Sequence, residues 1–378
     1  MPDFELFAAI IFGLYAVLGI LLCLGIPNSG NRLCSQEPPV SVILAVRNEE
    51  QHLPACLNSL CRLDYPADKL EIILVDDHSS DSTSQIIASY AQTRPNIHYY
   101  SLPQDSSSRR GKVRALEFGI AVSRGEFIFL TDADCRAPRA WIKSLLTQFT
   151  GATVMTGGVT LLDSPDDRAS LFGKIQSCDW LFLLGIAAAA AGYGLPLSWF
   201  GNNMAFRRSV YDECGGFAKI GHSLVEDLAL LNQVKKPRRR NINFSFSPDS
   251  LLYSSPASGL AEYYNQRKRW ARGLRLVPLP GIVLLILAVL AHCVTIAALF
   301  IHPALAAAGI LVLTCADLLI LARAAGLLGR RELLKYIGAF EIYYFLYTLL
   351  LPLLLLFDHK TSWKDRQYPA KAGQQPGL

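Results

Sequence analysis

The 378-residue chain reads as an α/β protein built on a doubly wound sheet, with one membrane helix before that domain and about three after it. Three observations predict this. From residue 40 onward, short wholly apolar segments alternate with helical ones, the pattern of parallel strands covered on both faces. Acidic residues gather just past several of those strands, at the end where open α/β sheets bind ligands. And the hydrophobic content, 51% of residues with a mean hydropathy of +0.28, is concentrated near the two ends of the chain.

The first element is "FELFAAIIFGLYAVLGILLCLGI" (4–26), long enough to span a bilayer. The acidic "MPDFE" start lacks the basic n-region of a signal peptide, so residues 1–27 are expected to be an uncleaved anchor. A Pro/Ser/Asn-rich linker follows at 27–39. Then "VSVILAV" (40–46) reads as a buried strand and 48–63 as a helix with Asn48 as N-cap. A second strand (70–77) and helix (80–92), a third strand (97–102) and helix (110–123), and a fourth strand, "EFIFLTDAD", continue the alternation. Short βα connections imply a parallel, right-handed sheet. Residues 153–162 form a strand with a Gly-Gly break. "LFLLGIAAAAAGYG" (181–194) is too short and too rich in Ala and Gly for a span and reads as a buried or membrane-surface helix. Spans are expected at 277–301, 304–328 and 336–357, and the charges Asp317 and Glu341 within them should face other helices or a cavity.

The expected organisation is therefore an anchor at 1–27, a soluble domain at 40–275, a membrane region at 277–357 and a polar tail at 358–378, with Pro352 open to a re-entrant reading. Nine scattered cysteines without a C-x-x-C pair fit free thiols in a reducing compartment, not a disulfide framework or a zinc site. The net charge of +5 is not spread evenly, and basic residues gather in "KKPRRR" (235–240), "QRKRWARGLR" (266–275) and "GRRELLK" (329–335). Basic residues interleaved with stacking aromatics along a groove are lacking, which argues against a nucleic-acid partner. Placing the domain and "GRRELLK" on the cytoplasmic side obeys the positive-inside rule. The expectation is a multi-pass protein of the cell (inner) membrane with its catalytic domain cytoplasmic.

Four acidic or basic constellations, taken in order, fit one chemistry. Asp132 and Asp134, one residue apart past a buried strand, repel unless something positive joins them. A hard divalent cation, Mg2+ or Mn2+, held by these carboxylates and by diphosphate oxygens, fills that need. Glu49, Asp76 and Asp77 lie at neighbouring strand ends, where they would accept from a nucleoside's base and ribose. Glu226 and Asp227 supply a general base for an acceptor hydroxyl. Arg267, Arg269 and Trp270 would close over the diphosphate and stack on the acceptor.

In family order, "VSVILAVRNEE", "ILVDDHSSDST", "GKVRALEFGI", "LTDADC", "GNNMAFRR", "VEDLAL" and "QRKRW" resemble the membrane-bound family 2 glycosyltransferases of GT-A fold, over roughly residues 40–275. The resemblance extends to cellulose, hyaluronan and poly-N-acetylglucosamine synthases and ceramide glucosyltransferase. It implies that Asp77 contacts the nucleobase, that Lys112 lies on the donor side, that Asp132 meets ribose or diphosphate with Asp134 on the metal, and that Asp227 is the base. Gln266, Arg269 and Trp270 match the Q-x-x-R-W signature. It further implies single-displacement inversion from a nucleotide-sugar donor, a UDP-sugar first, to a lipid or glycan acceptor at the membrane. At most three spans follow the domain, so single transfer to a lipid stands beside polymer extrusion, with a partner subunit open. A sugar-nucleotide pyrophosphorylase and a non-catalytic membrane scaffold are the alternatives.

Overall fold

The computed structural model describes residues 2–30, 32–103, 111–163, 170–220, 225–236, 241–357, 360–363 and 366–369. Most of the tail 358–378 and residues 237–240 of the basic run "KKPRRR" thus lie outside the described residues. The chain forms two compact units, one of residues 29–161, 198–255 and 359–378, the other of residues 1–28, 162–197 and 256–358.

The first of these units is built on β1 (Val40–Val46), β2 (Leu70–Asp76), β3 (Ile97–Ser101), β4 (Phe127–Thr131), β5 (Thr153–Gly158), β6 (Thr160–Leu162), β7 (Asn203–Arg207), β8 (Asn241–Ser245) and β9 (Leu252–Ser254). Seven strands form one sheet in the order β3-β2-β1-β4-β7-β5-β8. As expected, β1 runs parallel to β2 and β4, and β2 to β3. Past β4 the sheet turns mixed, because β7 enters antiparallel to both β4 and β5. The all-parallel sheet implied by the first four strands is corrected there. Every residue of β4 is buried, and its Phe129 and Phe127 join Val42, Leu44, Leu74, Leu57 and Trp141 in one core. Each such aliphatic or aromatic side chain removed from water stabilises the fold by about 1.5–3 kcal/mol.

Two local expectations change. The first helix after β1 is Leu53–Leu60, not 48–63, and Asn48 does not cap it. Pro54 in its first turn, lacking an N–H and fixed in φ, sets the later start. Asn48 instead adopts φ 50°, and its side-chain carbonyl accepts from the Ser80 N–H at 2.9 Å. Likewise β4 stops at Thr131, and Asp132–Cys135 form a turn closed by the Cys135 N–H on the Asp132 carbonyl at 3.1 Å. The two aspartates therefore sit on a turn beyond the strand, not on one face of it.

The second unit gathers helices Pro2–Gly25, Leu171–Gly192, Leu279–Ile301, Pro303–Leu327 and Ile337–Phe357, with Leu260–Gly273 beside them. Among the described residues, five apolar helices are long enough to cross a membrane by length and composition, one more than expected. The addition is Leu171–Gly192, which starts ten residues before the apolar stretch read from the sequence and is largely buried among its neighbours. Small residues allow close packing: a Cβ on Gly309 would lie 2.4 Å from the Phe12 ring. The helix Ile337–Phe357 runs through Pro352 without ending there. Asp317 is buried and accepts from Tyr15 Oη at 2.7 Å, and Glu341 accepts from Thr314 at 3.5 Å. Both charges are thus turned to neighbouring helices. All nine cysteines are free thiols.

Candidate active site

The carboxyl ends of the parallel strands are stitched together by their loops. After β1, the Asn48 N–H donates to Ser79 Oγ (3.0 Å), the Glu49 N–H to Thr83 Oγ1 (2.8 Å) and the Glu50 N–H to Asp81 Oδ2 (3.1 Å). Arg47 donates to the carbonyls of Asp77 (2.6 Å) and His78 (3.2 Å). His78 takes up φ 62°, which turns the chain out of β2 and leaves the Asp77 carboxylate 3.1 Å from the His78 ring. Asp76 behaves differently from its neighbour. One of its oxygens accepts from the Ser79 N–H (3.0 Å) and hydroxyl (2.5 Å), and the other from Ser84 Oγ (2.8 Å). Both oxygens are spent on serines of the turn and the helix that follow β2, which speaks for a structural part for Asp76 and not for Asp77.

Beyond β4 the acids converge on one cation. Lys112, the first residue of helix Lys112–Val122, places Nζ 2.6 Å from Asp132 Oδ1 and 3.3 Å from Glu226 Oε1. Burial pulls the Lys112 ammonium down, but the Asp132 and Glu226 carboxylates outweigh it and hold its pKa above the ordinary range. This is a positive body beside the aspartate pair, supplied by the chain itself. Asp134 is held by Ser254 Oγ on Oδ2 at 2.7 Å and by the Cys135 thiol 3.6 Å from Oδ1. Both of these partners are neutral donors. Cys56 and Cys135 lie near the pair, and burial first, then Asp134, pushes both thiols up. They stay protonated and are poor metal ligands. Among the described residues no group of three or more His, Cys, Asp or Glu side chains is arranged to hold a metal ion. A cation here would take Asp134 and Asp132 from the protein and its remaining oxygens from the donor and water, a donor set that suits Mg2+ or Mn2+.

Asp227 stands in the first turn of helix Glu226–Val234. Its Oδ2 accepts from the Gly201 N–H and its Oδ1 from its neighbour Leu228's N–H, each at 2.7 Å. Burial, then the charge of Glu226, pushes the Asp227 carboxyl up to about 7, while Leu228, Lys112 and Gly201 pull the other way. A carboxylate with that value is poised to take a proton near neutral pH.

The "GNN" stretch, quoted from the sequence without a role, is what registers this end of the sheet. Asn203 pairs with Thr131 across β7 and β4. Its side chain accepts from Trp141 Nε1 (2.9 Å) and donates to the Val159 and Ser250 carbonyls. Thr131 Oγ1 donates to the Asn202 carbonyl at 3.0 Å, and Gly201 holds Asp227. Gly201, Asn203 and Ser254 were missed as site residues. Only the polar "GNN" beside an apolar strand signalled the first two, and nothing local signalled Ser254.

In the other unit, helix Leu260–Gly273 carries Gln266, Arg267, Arg269 and Trp270. Arg267 does not face outward to grip a phosphate. It is 2% exposed and its Nη2 donates to Asp179. Its guanidinium lies 4.6 Å from the ring centroids of Tyr263 and Trp270. Trp270 stacks on Trp180 at 4.6 Å and 28°. The expected role of Arg267 on the diphosphate is corrected by that burial, and the indole of Trp270 already has an aromatic neighbour.

The fold and the sequence can be set beside known proteins. The fold matches a mannosyltransferase from Pyrobaculum calidifontis, solved with GDP-Man and Mn2+, with TM-score 0.55 and 19% identity over 94% of this chain and 99% of that one. The chain is 27% identical to the probable glycosyltransferase YdaM of Bacillus subtilis, over 64% of this chain and 56% of that protein. It is 26% identical to a beta-monoglucosyldiacylglycerol synthase of Trichormus variabilis, over 70% of this chain and 55% of that protein. A poly-beta-1,6-N-acetyl-D-glucosamine synthase of Staphylococcus epidermidis is 26% identical over 72% of this chain and 65% of its own length. The chain thus spans between half and two thirds of these relatives. The profile of one family runs through almost all of it, residues 6–375, and by that match the chain, whose motifs resemble family 2, belongs to glycosyl transferase family 21.

Proposed function

We propose that this protein is a membrane glycosyltransferase that moves a sugar, with inversion, from a nucleoside-diphosphate sugar to the hydroxyl of a lipid or glycan acceptor. One observation carries the reading: Lys112 draws Asp132, from the turn after β4, and Glu226, beside the raised carboxyl of Asp227, to one point at the carboxyl end of the parallel strands. Asp77 takes the nucleobase side and Asp132 the ribose and diphosphate side. Lys112 offsets the charge of the acids so that an anionic donor can approach. Asp227, oriented by the Gly201 amide, accepts the proton of the attacking hydroxyl. Asp134 and Asp132 would hold a divalent ion, which supplies charge neutralisation to the departing diphosphate. The membrane relatives that make a glucolipid and a poly-N-acetylglucosamine support a membrane acceptor, the apolar helices support a multi-pass placement, and the basic runs read by the positive-inside rule favour a cytoplasmic side for the sheet unit.

Membranes carrying the protein, incubated with labelled UDP- and GDP-sugars and Mn2+, should move label from one donor into lipid extract or polymer. The Asp134→Asn variant should lose on the order of 10² of that rate, the worth of several kcal/mol of charge stabilisation. Full activity of Asp134→Asn, or release of diphosphate from a nucleoside triphosphate in place of transfer, would count against the reading.

A further inference from the structure

Arg267 belongs to the motif helix yet is withdrawn from it into the packed unit. Its partner Asp179 is fully buried, on helix Leu171–Gly192, outside every motif that points to sugar transfer. The next residue, Trp180, stacks on Trp270. Two adjacent residues of one helix therefore grip positions i and i+3 of another, and these two positions share a face. Tyr263, one turn before Arg267, lies under its guanidinium and exchanges a hydroxyl hydrogen bond with Tyr343. Tyr347 lies 5.2 Å from the same guanidinium. At 100° per residue, Arg269 projects from the side of the helix opposite Arg267. A roll of the helix about its axis would swing Arg269 and Trp270 together, and the Asp179–Arg267 pair is what resists that roll.

A buried ion pair is a weak source of stability, since desolvation offsets most of its attraction. Its directional, charge-assisted hydrogen bond fixes geometry instead. We propose that Asp179 is a positioning residue of the transfer reaction: through Arg267 it sets the orientation of the helix presenting Gln266, Arg269 and Trp270, and so serves transfer to the acceptor and not donor binding. This rests on the glycosyltransferase reading above.

The test compares wild type with Asp179→Asn, Asp179→Glu and the apolar double variant Asp179→Leu/Arg267→Met in detergent-purified full-length protein. The double variant guards against misfolding, because a buried pair replaced by apolar residues of similar size commonly keeps or gains stability. Three quantities are read with the nucleotide sugar that wild type turns over: its dissociation constant, its slow hydrolysis to water, and its transfer to the acceptor. Expected are an unchanged dissociation constant and hydrolysis rate, with transfer lowered about 10²-fold in Asp179→Asn and in the double variant, the cost of an ångström-scale misplacement. Asp179→Glu should recover part of the transfer rate. Transfer at the wild-type rate in the double variant, or hydrolysis falling in step with transfer, overturns the positioning role. A wild type that turns over no nucleotide sugar overturns the glycosyltransferase reading itself, and the inference with it.

Discussion

Asp227 shows how little of a residue's chemistry lies in its own letter. As sequence it is one of two adjacent acids at a helix start, a common arrangement at the positive end of a helix dipole. In the folded chain, burial and the charge of Glu226 push its carboxyl up to about 7. The base must be ionised to work, so its working fraction rises tenfold per pH unit below that value and levels off above it. Transfer kcat/KM should therefore climb with pH to about 7 and then flatten. An acid limb near 4 would mean that the base lies elsewhere. The Asp227→Asn variant should keep nucleotide-sugar binding, lose ~10²–10⁴ in transfer and lose the limb with it. Arg267 teaches the opposite lesson, because a basic residue inside a recognised motif proves to be buried and paired with an aspartate that no motif contains.

Among the elements, the strands were legible and their ends were not. A continuous apolar run such as Phe127–Leu130 has one place to go, the middle of a sheet, and β4 lies there. Where it stops depends on Thr131 and Asn203 meeting across β7, a contact between residues 72 positions apart that no local pattern carries. The approach of β1 to the start of β4 is equally non-local. A Cβ on Gly125 would stand 2.4 Å from the Ser41 nitrogen and 2.7 Å from the Val40 carbonyl carbon, and backbone cannot yield as a flexible side chain does. Gly125→Ala should cost about 1–3 kcal/mol and lower the thermal midpoint of the purified protein by several degrees. Gly338→Ala, whose Cβ meets nothing within 4 Å, is the control and should leave the midpoint unlowered. Equal midpoints in the two variants would remove the close approach as the reason for glycine at 125.

For the whole molecule, connectivity constrains the membrane segments. Residues 29–161 and 198–255 give strands to a single sheet, so both ends of the segment joining them stand on one side of a bilayer. Helix Leu171–Gly192 is therefore expected to make no net crossing, despite a length and hydropathy that would allow one. Single cysteines introduced at the exposed positions Asp68 and Asp212 should be labelled by a membrane-impermeant maleimide from the same side of sealed vesicles. Labelling from opposite sides would require a different sheet.

The sequence by itself determined the alternation of strands and helices, the apolar helices near the two ends and the set of acids from which the site is drawn, because hydrophobic periodicity and residue chemistry are local properties. Tertiary structure decided which of those residues meet. It spent Asp76 on a serine turn, set Lys112 between Asp132 and Glu226, gave Asp227 its raised pKa through burial and Glu226, and turned Arg267 inward to Asp179. The meetings of Lys112 with Asp132 and Glu226 and of Arg267 with Asp179 join residues distant in sequence, the Asp227 shift depends on burial, and electrostatic energy follows distance in space.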